Sequence, residues 1–281
     1  MSGHVLQSVP DMDDTQFLQW QALLERRIGV WLPPQRKLFL LSGLLTRMRE
    51  IGEQDYRGYY RRLSGSIEAE YEWAQLIDCL TVHETRFFRD PDSLALVEGF
   101  CRRRIADNPG KSLELWSVGC ASGEEAYTLA LLMHRLKETC GHFYYGVTGI
   151  DISYPALAAA REGIYHRRKL ETVPEELRDR SFVAKGDDYY QLVPEIRARV
   201  LFIQGNLVDS RVAPEHRYDV IYCQNVLIYF QPDRRQQILQ ILADRLAPGG
   251  LLVLAPGEMM DWQPPTLVRV DHPQSLAFTR R

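Results

Sequence analysis

One stretch limits the possible folds more than any other. Residues 113–127 read Leu-Glu-Leu-Trp-Ser-Val-Gly-Cys-Ala-Ser-Gly-Glu-Glu-Ala-Tyr. The apolar run Leu113–Val118 predicts a buried strand, and Ala126, Leu129, Ala130 and Met133 then recur at helical spacing. Strand, glycine turn and helix form the opening unit of a doubly wound α/β sheet, and nucleotides bind where the first turn meets the first helix. With no Cβ, Gly119 and Gly123 let backbone approach a ligand closely and permit positive φ. A tight strand-to-helix connection without a ligand uses the same spacing, so the pair alone does not choose between the two.

The rest of the chain extends this unit. Tyr144–Asp151, Val200–Gln204, Tyr218–Asn225 and Leu251–Ala255 read as further strands. Helices are predicted over Ser93–Ile105, Glu124–Leu136, Pro155–Glu162 and Asp233–Leu246, the last stopped by Pro248-Gly249-Gly250. Thr266–Val270 and Ser275–Thr279 predict a hairpin that adds antiparallel strands. Residues 165–199 lose this alternation and read as an insertion, a short helix with a small antiparallel ribbon, long enough to form a flap. Asp151, at the carboxyl end of the second strand and 32 residues after Gly119, suits a ribose diol. It equally suits a helix cap, a task that Ser153 could take instead. Asn225 ends its strand on the same ligand-binding edge.

Ahead of the sheet the periodicity is helical throughout. Phe17, Trp20, Leu23, Leu24 and Ile28 form one apolar face, with Asp13 or Asp14 before it and Gly29 after it. Further helices are predicted from Pro34 to Ile51, around Tyr56–Leu63, and from about Ile67 to Leu80. The predicted organisation is a helical domain over 1–80, a linker over 81–92 that lines the site, and an α/β domain over 93–281. Between Asp14 and Ser64 lie nine basic residues (Arg26, Arg27, Arg36, Lys37, Arg47, Arg49, Arg57, Arg61 and Arg62) against five acids. They are either solvated helix faces or a docking face for an acidic partner. In the linker, Thr-Val-His-Glu-Thr-Arg-Phe-Phe-Arg-Asp-Pro, Phe87 and Phe88 are expected to pack while His83, Thr85 and Arg89 face a ligand.

Composition closes several routes. The net charge is −3, which argues against a general nucleic-acid binder. No apolar run approaches the roughly 18 residues of a membrane helix. Met1–Asp14 lacks a secretory pattern, so a cytoplasmic protein is expected. The five cysteines are far apart, and neither a disulfide framework nor a metal site is expected.

Four stretches together resemble the chemotaxis receptor methyltransferases: 81–90, 115–127, Gly-Ile-Asp-Ile-Ser at 149–153, and Tyr-Asp-Val-Ile-Tyr-Cys-Gln-Asn-Val-Leu-Ile-Tyr-Phe at 218–230. The likeness runs from about Phe17 to Phe278 in the same order. It implies a Rossmann-like class I methyltransferase sheet behind a small all-α domain. It also implies S-adenosylmethionine as cofactor, S-adenosylhomocysteine as product, and glutamate side chains of chemoreceptors as acceptors of methyl esters.

Carried over by position, His83, Thr85, Arg89, Gly119, Glu125, Asp151, Asn206, Leu207, Gln224 and Asn225 would hold the cofactor. Tyr229 and Arg89 would act at the reacting centre, Tyr229 by placing the acceptor carboxylate, although it could equally be core beside Phe230. Arg57, Arg61 and Arg62 would dock the acidic helices of the receptor's cytoplasmic domain. Two positions depart from the family, which usually has Asn at His83 and Arg at Gln224. A monomer is expected, and a regulatory adaptor is left open. An ionised carboxylate is already nucleophilic at pH 7, since its reference pKa is about 4.3, so the transfer requires no general base, metal or protein nucleophile. Three rivals are a nicotinamide-dependent dehydrogenase, a nucleic-acid methyltransferase and a non-catalytic cofactor-binding scaffold. The missing Gly-x-Gly-x-x-Gly, the missing Asn/Asp-Pro-Pro-aromatic motif and the otherwise intact site pattern argue against them in turn.

Overall fold

The computed structural model describes residues 11–65, 68–81, 84–209, 216–259, 262 and 264–281, with the side chain of Glu68 left aside. His83 lies outside the described residues. The chain divides into two compact units, Met1–Val82 and His83–Arg281.

The described residues of the first unit hold four α-helices: α1 (Asp14–Ile28), α2 (Lys37–Ile51), α3 (Tyr56–Ser64) and α4 (Glu68–Leu80). Asp13, not Asp14, caps α1. Its side chain accepts from Gln16 N at 2.7 Å while Gln16 returns a bond to Asp13 N, so two otherwise orphaned N–H groups are satisfied together. Gly29 closes the helix at φ 78°. The apolar face of α1 packs Trp20 against Tyr59 and Tyr60 of α3, with ring centroids 5.6 and 5.3 Å apart.

The basic cluster is smaller than its sequence count. Arg47 is 8% exposed and forks onto Glu72 of α4, with bonds of 3.0 and 2.7 Å. Tyr59 donates to the same carboxylate at 2.6 Å. Arg47 therefore belongs to the unit's interior and leaves the candidate docking face, because a buried guanidinium holds its place only when paired. Arg27 pairs with Glu70, and Lys37 with Asp14. Arg57, Arg61 and Arg62 are exposed on α3 with no ion pair among the described residues.

The second unit begins with α5 (Pro91–Asp107), capped by Asp90. It continues as β1 (Leu113–Val118), α6 (Glu124–Cys140), β2 (Tyr145–Asp151), α7 (Tyr154–Glu162), β3 (Ile164–His166), α8 (Glu175–Ser181), β4 (Phe182–Ala184), β5 (Tyr189–Leu192), α9 (Pro194–Arg197), β6 (Val200–Gln204), β7 (Tyr218–Cys223), α10 (Pro232–Arg245), β8 (Leu246–Leu254), β9 (Leu267–Arg269) and β10 (Leu276–Arg280). A seven-stranded sheet runs β6-β2-β1-β7-β8-β10-β9, and β3-β5-β4 form a small antiparallel sheet inside 164–192. The pairs from β6 to β8 are parallel, while β10 runs antiparallel to both β8 and β9. The C-terminal hairpin thus closes one edge of the sheet.

Alternation along the strands feeds two cores. Leu115, Val220, Tyr222 and Val253 face α5 and α6. Trp116, Ile221, Cys223 and Leu252 face α10. The last crossover departs from its sequence reading. The helix stops at Arg245, and β8 begins at Leu246, opposite Tyr218, with a register irregularity between Tyr218 and Val220. Pro248-Gly249-Gly250 therefore lies inside the irregular start of the strand. Among the described residues no helix is long and apolar enough to cross a membrane.

Candidate active site

Because β1, β2, β6 and β7 run parallel, their carboxyl ends open on one edge. The register sets Val118 level with Ile150 and Cys223, and Asp151 level with Gln204. In sheets of this kind a ligand lies outside that edge, where the strand order reverses beside β1.

The turn after β1 is bent for a local reason. Gly119 has φ 70°, and a Cβ there would stand 2.5 Å from Cγ2 of Val226. The glycine thus meets the turn after β7, so the close approach is to the chain itself. Gly123, at φ 92°, would press a Cβ to 2.8 Å from Ala160. Gly119 and Cys120 donate to Ile150 O at 2.8 and 3.0 Å.

Asp151 ties three segments together. One carboxylate oxygen accepts from Ala121 N at 2.8 Å and the other from Ser153 N at 2.9 Å, while its carbonyl accepts from Gly205 N at 2.9 Å. Ser153, not Asp151, caps α7, through a bond from Ala156 N. The Asp151 carboxylate is thereby fixed at the strand end with part of its surface facing out. Asn206 folds its own turn by accepting from Val208 N at 3.1 Å. Leu207 lies beside it, at a small gap lined by Trp116, Ile150 and residues of α10.

Glu125, in the first turn of α6, accepts from Ser117 Oγ at 2.6 Å. Burial pushes its carboxyl up to about 8; Ser117 and the nearby Arg89 pull it down, and Glu258 and Asp151 push it further up. Arg89 is exposed and donates to Glu84 O at 2.8 Å. Phe87 is fully buried, edge-on to Tyr165 and Phe182, whereas Thr85 is only half-buried. Asn225 has φ 60°, and Gln224 beside it buries an amide nitrogen with no hydrogen-bond partner among the described residues. Tyr229 is half-buried at the end of a short 3-10 turn, Leu227–Tyr229, packed against the α10-side core.

Three residues escaped the sequence reading. Glu124 is fully buried and ion-paired to Lys169, Ser117 holds Glu125, and Glu258 binds the turn after β7. Only Glu258 left a sequence signal, since it stands just past the carboxyl end of β8, the edge where ligands gather.

Glu258 and Asp151 raise the cost of the Glu125 charge, which a nearby cation would relieve. The orphaned Gln224 amide offers a donor, and the gap beside Leu207 offers apolar surface. The sheet order, five parallel strands followed by an antiparallel hairpin, is that of the class I S-adenosylmethionine-dependent methyltransferase fold.

Comparison with known proteins narrows the class. The family described as "CheR methyltransferase, SAM binding domain" matches residues 83–274, and "CheR methyltransferase, all-alpha domain" matches 15–81. Chemotaxis protein methyltransferase 2 of Vibrio cholerae serotype O1 is 31% identical over 88% of this chain and 86% of its own length. The chemotaxis protein methyltransferase of Escherichia coli K12 is 30% identical over 86% of this chain and 83% of its own. The probable biofilm formation methyltransferase WspC of Pseudomonas aeruginosa is 29% identical over 93% of this chain and 61% of its own. The chain belongs to the CheR methyltransferase family.

Proposed function

We propose that this enzyme methylates glutamate side chains on the cytoplasmic helices of chemoreceptors, forming glutamyl methyl esters. The observation that carries this reading is the match of both family domains, in order, across 15–81 and 83–274, together with relatives named as chemotaxis methyltransferases. Bound S-adenosylmethionine supplies a methyl group activated on a sulfonium, which a carboxylate takes up as an ester.

The chain's own residues hold and orient. Asp151 receives the ribose hydroxyls at the end of β2, as a carboxylate whose two oxygens each accept more than one hydrogen bond. Asn206 and Leu207 flank the adenine, beside the gap at Trp116 and Ile150. Glu125, with Thr85, Arg89, Gly119, Gln224 and Asn225, surrounds the charged end of the cofactor. His83 joins them by its place in the motif alone. The acceptor is ionised at neutral pH, so alignment and exclusion of water supply the rate, and good alignment contributes about 7–11 kcal/mol. Tyr229 places the acceptor carboxylate through its hydroxyl, beside Arg89. Arg57, Arg61 and Arg62 draw in the acidic receptor helices.

The direct test is transfer of radiolabelled methyl from S-adenosylmethionine to a purified receptor cytoplasmic fragment. Label that mild alkali releases supports an ester; alkali-stable label, or label found only on nucleic acid, overturns the reading. In Tyr229→Phe, kcat falls about 10–100-fold while S-adenosylhomocysteine binding stays near wild type. Unchanged turnover would remove Tyr229 from the reacting centre.

A further inference from the structure

The turn after β7 carries Gln224, Asn225 and Tyr229; its own 3-10 bonds, Tyr229 N to Val226 O and Phe230 N to Leu227 O, begin only at Val226 and do not explain the left-handed Asn225. Asn225 adopts φ 60°, and Val226 follows at φ −106°, ψ −43°. A left-handed residue followed by a right-handed one aims successive backbone N–H groups at one point and creates a concavity for an anion. A non-glycine residue in the left-handed region persists only where its surroundings hold it.

The anion comes from the protein. Glu258, four residues beyond β8, is 3% exposed. One of its carboxylate oxygens accepts from Leu227 N at 2.9 Å and the other from Ala255 N at 3.1 Å. Burial pushes this carboxyl up, while the backbone N–H groups of Ala255, Leu227, Val226 and Ile228 all favour its charge. Arg235 of α10 braces the same two segments, donating to Phe230 O at 2.8 Å and to Glu258 O at 3.4 Å. Val226 in turn lies against Gly119, so the turn after β7 and the glycine turn after β1 interlock.

We propose that Glu258 is a positioning residue for methyl transfer: its carboxylate ties the Leu227 N–H of this turn to the Ala255 N–H past β8 and sets the Asn225–Tyr229 turn in its working shape before either substrate arrives. The inference rests on the methyltransferase reading of the same edge. It has a second consequence. The Leu227 N–H is already taken, so the acceptor carboxylate cannot use it and depends on side chains such as Tyr229.

The test is Glu258→Gln, close in shape to the native residue. Its amide must turn an NH2 toward one of the two backbone donors and so loses a hydrogen bond. Hydrogen exchange at residues 224–230 then speeds up while exchange in β1 stays as in wild type. The kcat for receptor methylation falls about 10–100-fold, the effect of a small misplacement at a reacting centre, with acceptor KM within about threefold. Wild-type kcat in a folded Glu258→Gln, or unchanged exchange at 224–230, overturns the proposal. Should that variant not fold, Glu258→Asp is read by the same two measurements, and a wild-type Leu227 amide that exchanges freely is itself decisive against it. A wild-type protein that neither binds S-adenosylhomocysteine nor transfers methyl would defeat the parent reading instead.

Discussion

At the first turn of α6, Glu125 shows how the fold sets the charge of a single group. Burial is the dominant cause of its raised value, about 8 against an ordinary 4.5. Between those two pH values the folded protein holds a proton that the unfolded chain has released, so this residue makes stability fall as pH rises through the interval. Above about pH 8 both states are ionised and the slope ends. Glu125→Gln removes the titration, and the melting temperature of the ligand-free variant should therefore decline less steeply than wild type between pH 5 and 8. A cationic donor placed beside Glu125 favours its ionised form. Binding of S-adenosylmethionine near neutral pH should then release protons from wild type and fewer from Glu125→Gln, measured by calorimetry in buffers of different ionisation enthalpy. Equal release from both proteins would place the donor's positive charge away from this residue.

Elements constrain one another where they touch, and two contacts give sharp tests. Gly119 joins β1 to α6 in the left-handed region and has Val226 within reach of a missing Cβ. Gly119→Ala carries a backbone cost of about 1–2 kcal/mol and a clash besides. Adding Val226→Ala should recover the clash but leave the backbone cost, as read by urea unfolding of the single and double variants. If Val226→Ala recovers nothing, the two turns do not interlock. In the helical unit, Arg47 of α2, Tyr59 of α3 and Glu72 of α4 meet inside the bundle. Glu72→Ala removes the bidentate partner of a buried guanidinium, leaving only its pair with Glu50, and should cost about 3–5 kcal/mol, whereas the paired replacement Arg47→Met with Glu72→Leu should cost much less. The same unfolding measurement checks both, and a mild effect from Glu72→Ala alone would mean that Glu50 suffices to hold the guanidinium.

At the scale of the whole molecule, charge is distributed against the average. The chain is net −3, yet α3 exposes Arg57, Arg61 and Arg62 together. Replacing all three with Gln should raise the receptor KM several-fold with kcat intact, and added salt should impose the same change on wild type, because exposed charges steer encounter and are screened. An unchanged KM would move docking off α3. The sequence by itself determined the order of helices and strands, the antiparallel closing hairpin and the strand ends where Gly119, Asp151, Asn206 and Asn225 stand. Periodicity, caps and turn residues act over a few positions, so they are legible along the chain. Only the tertiary structure decided which charges are interior. Arg47 finds Glu72 across 25 positions and Glu258 finds Leu227 across 31. Burial and partnership are properties of segments brought together from far apart, and no local pattern encodes them.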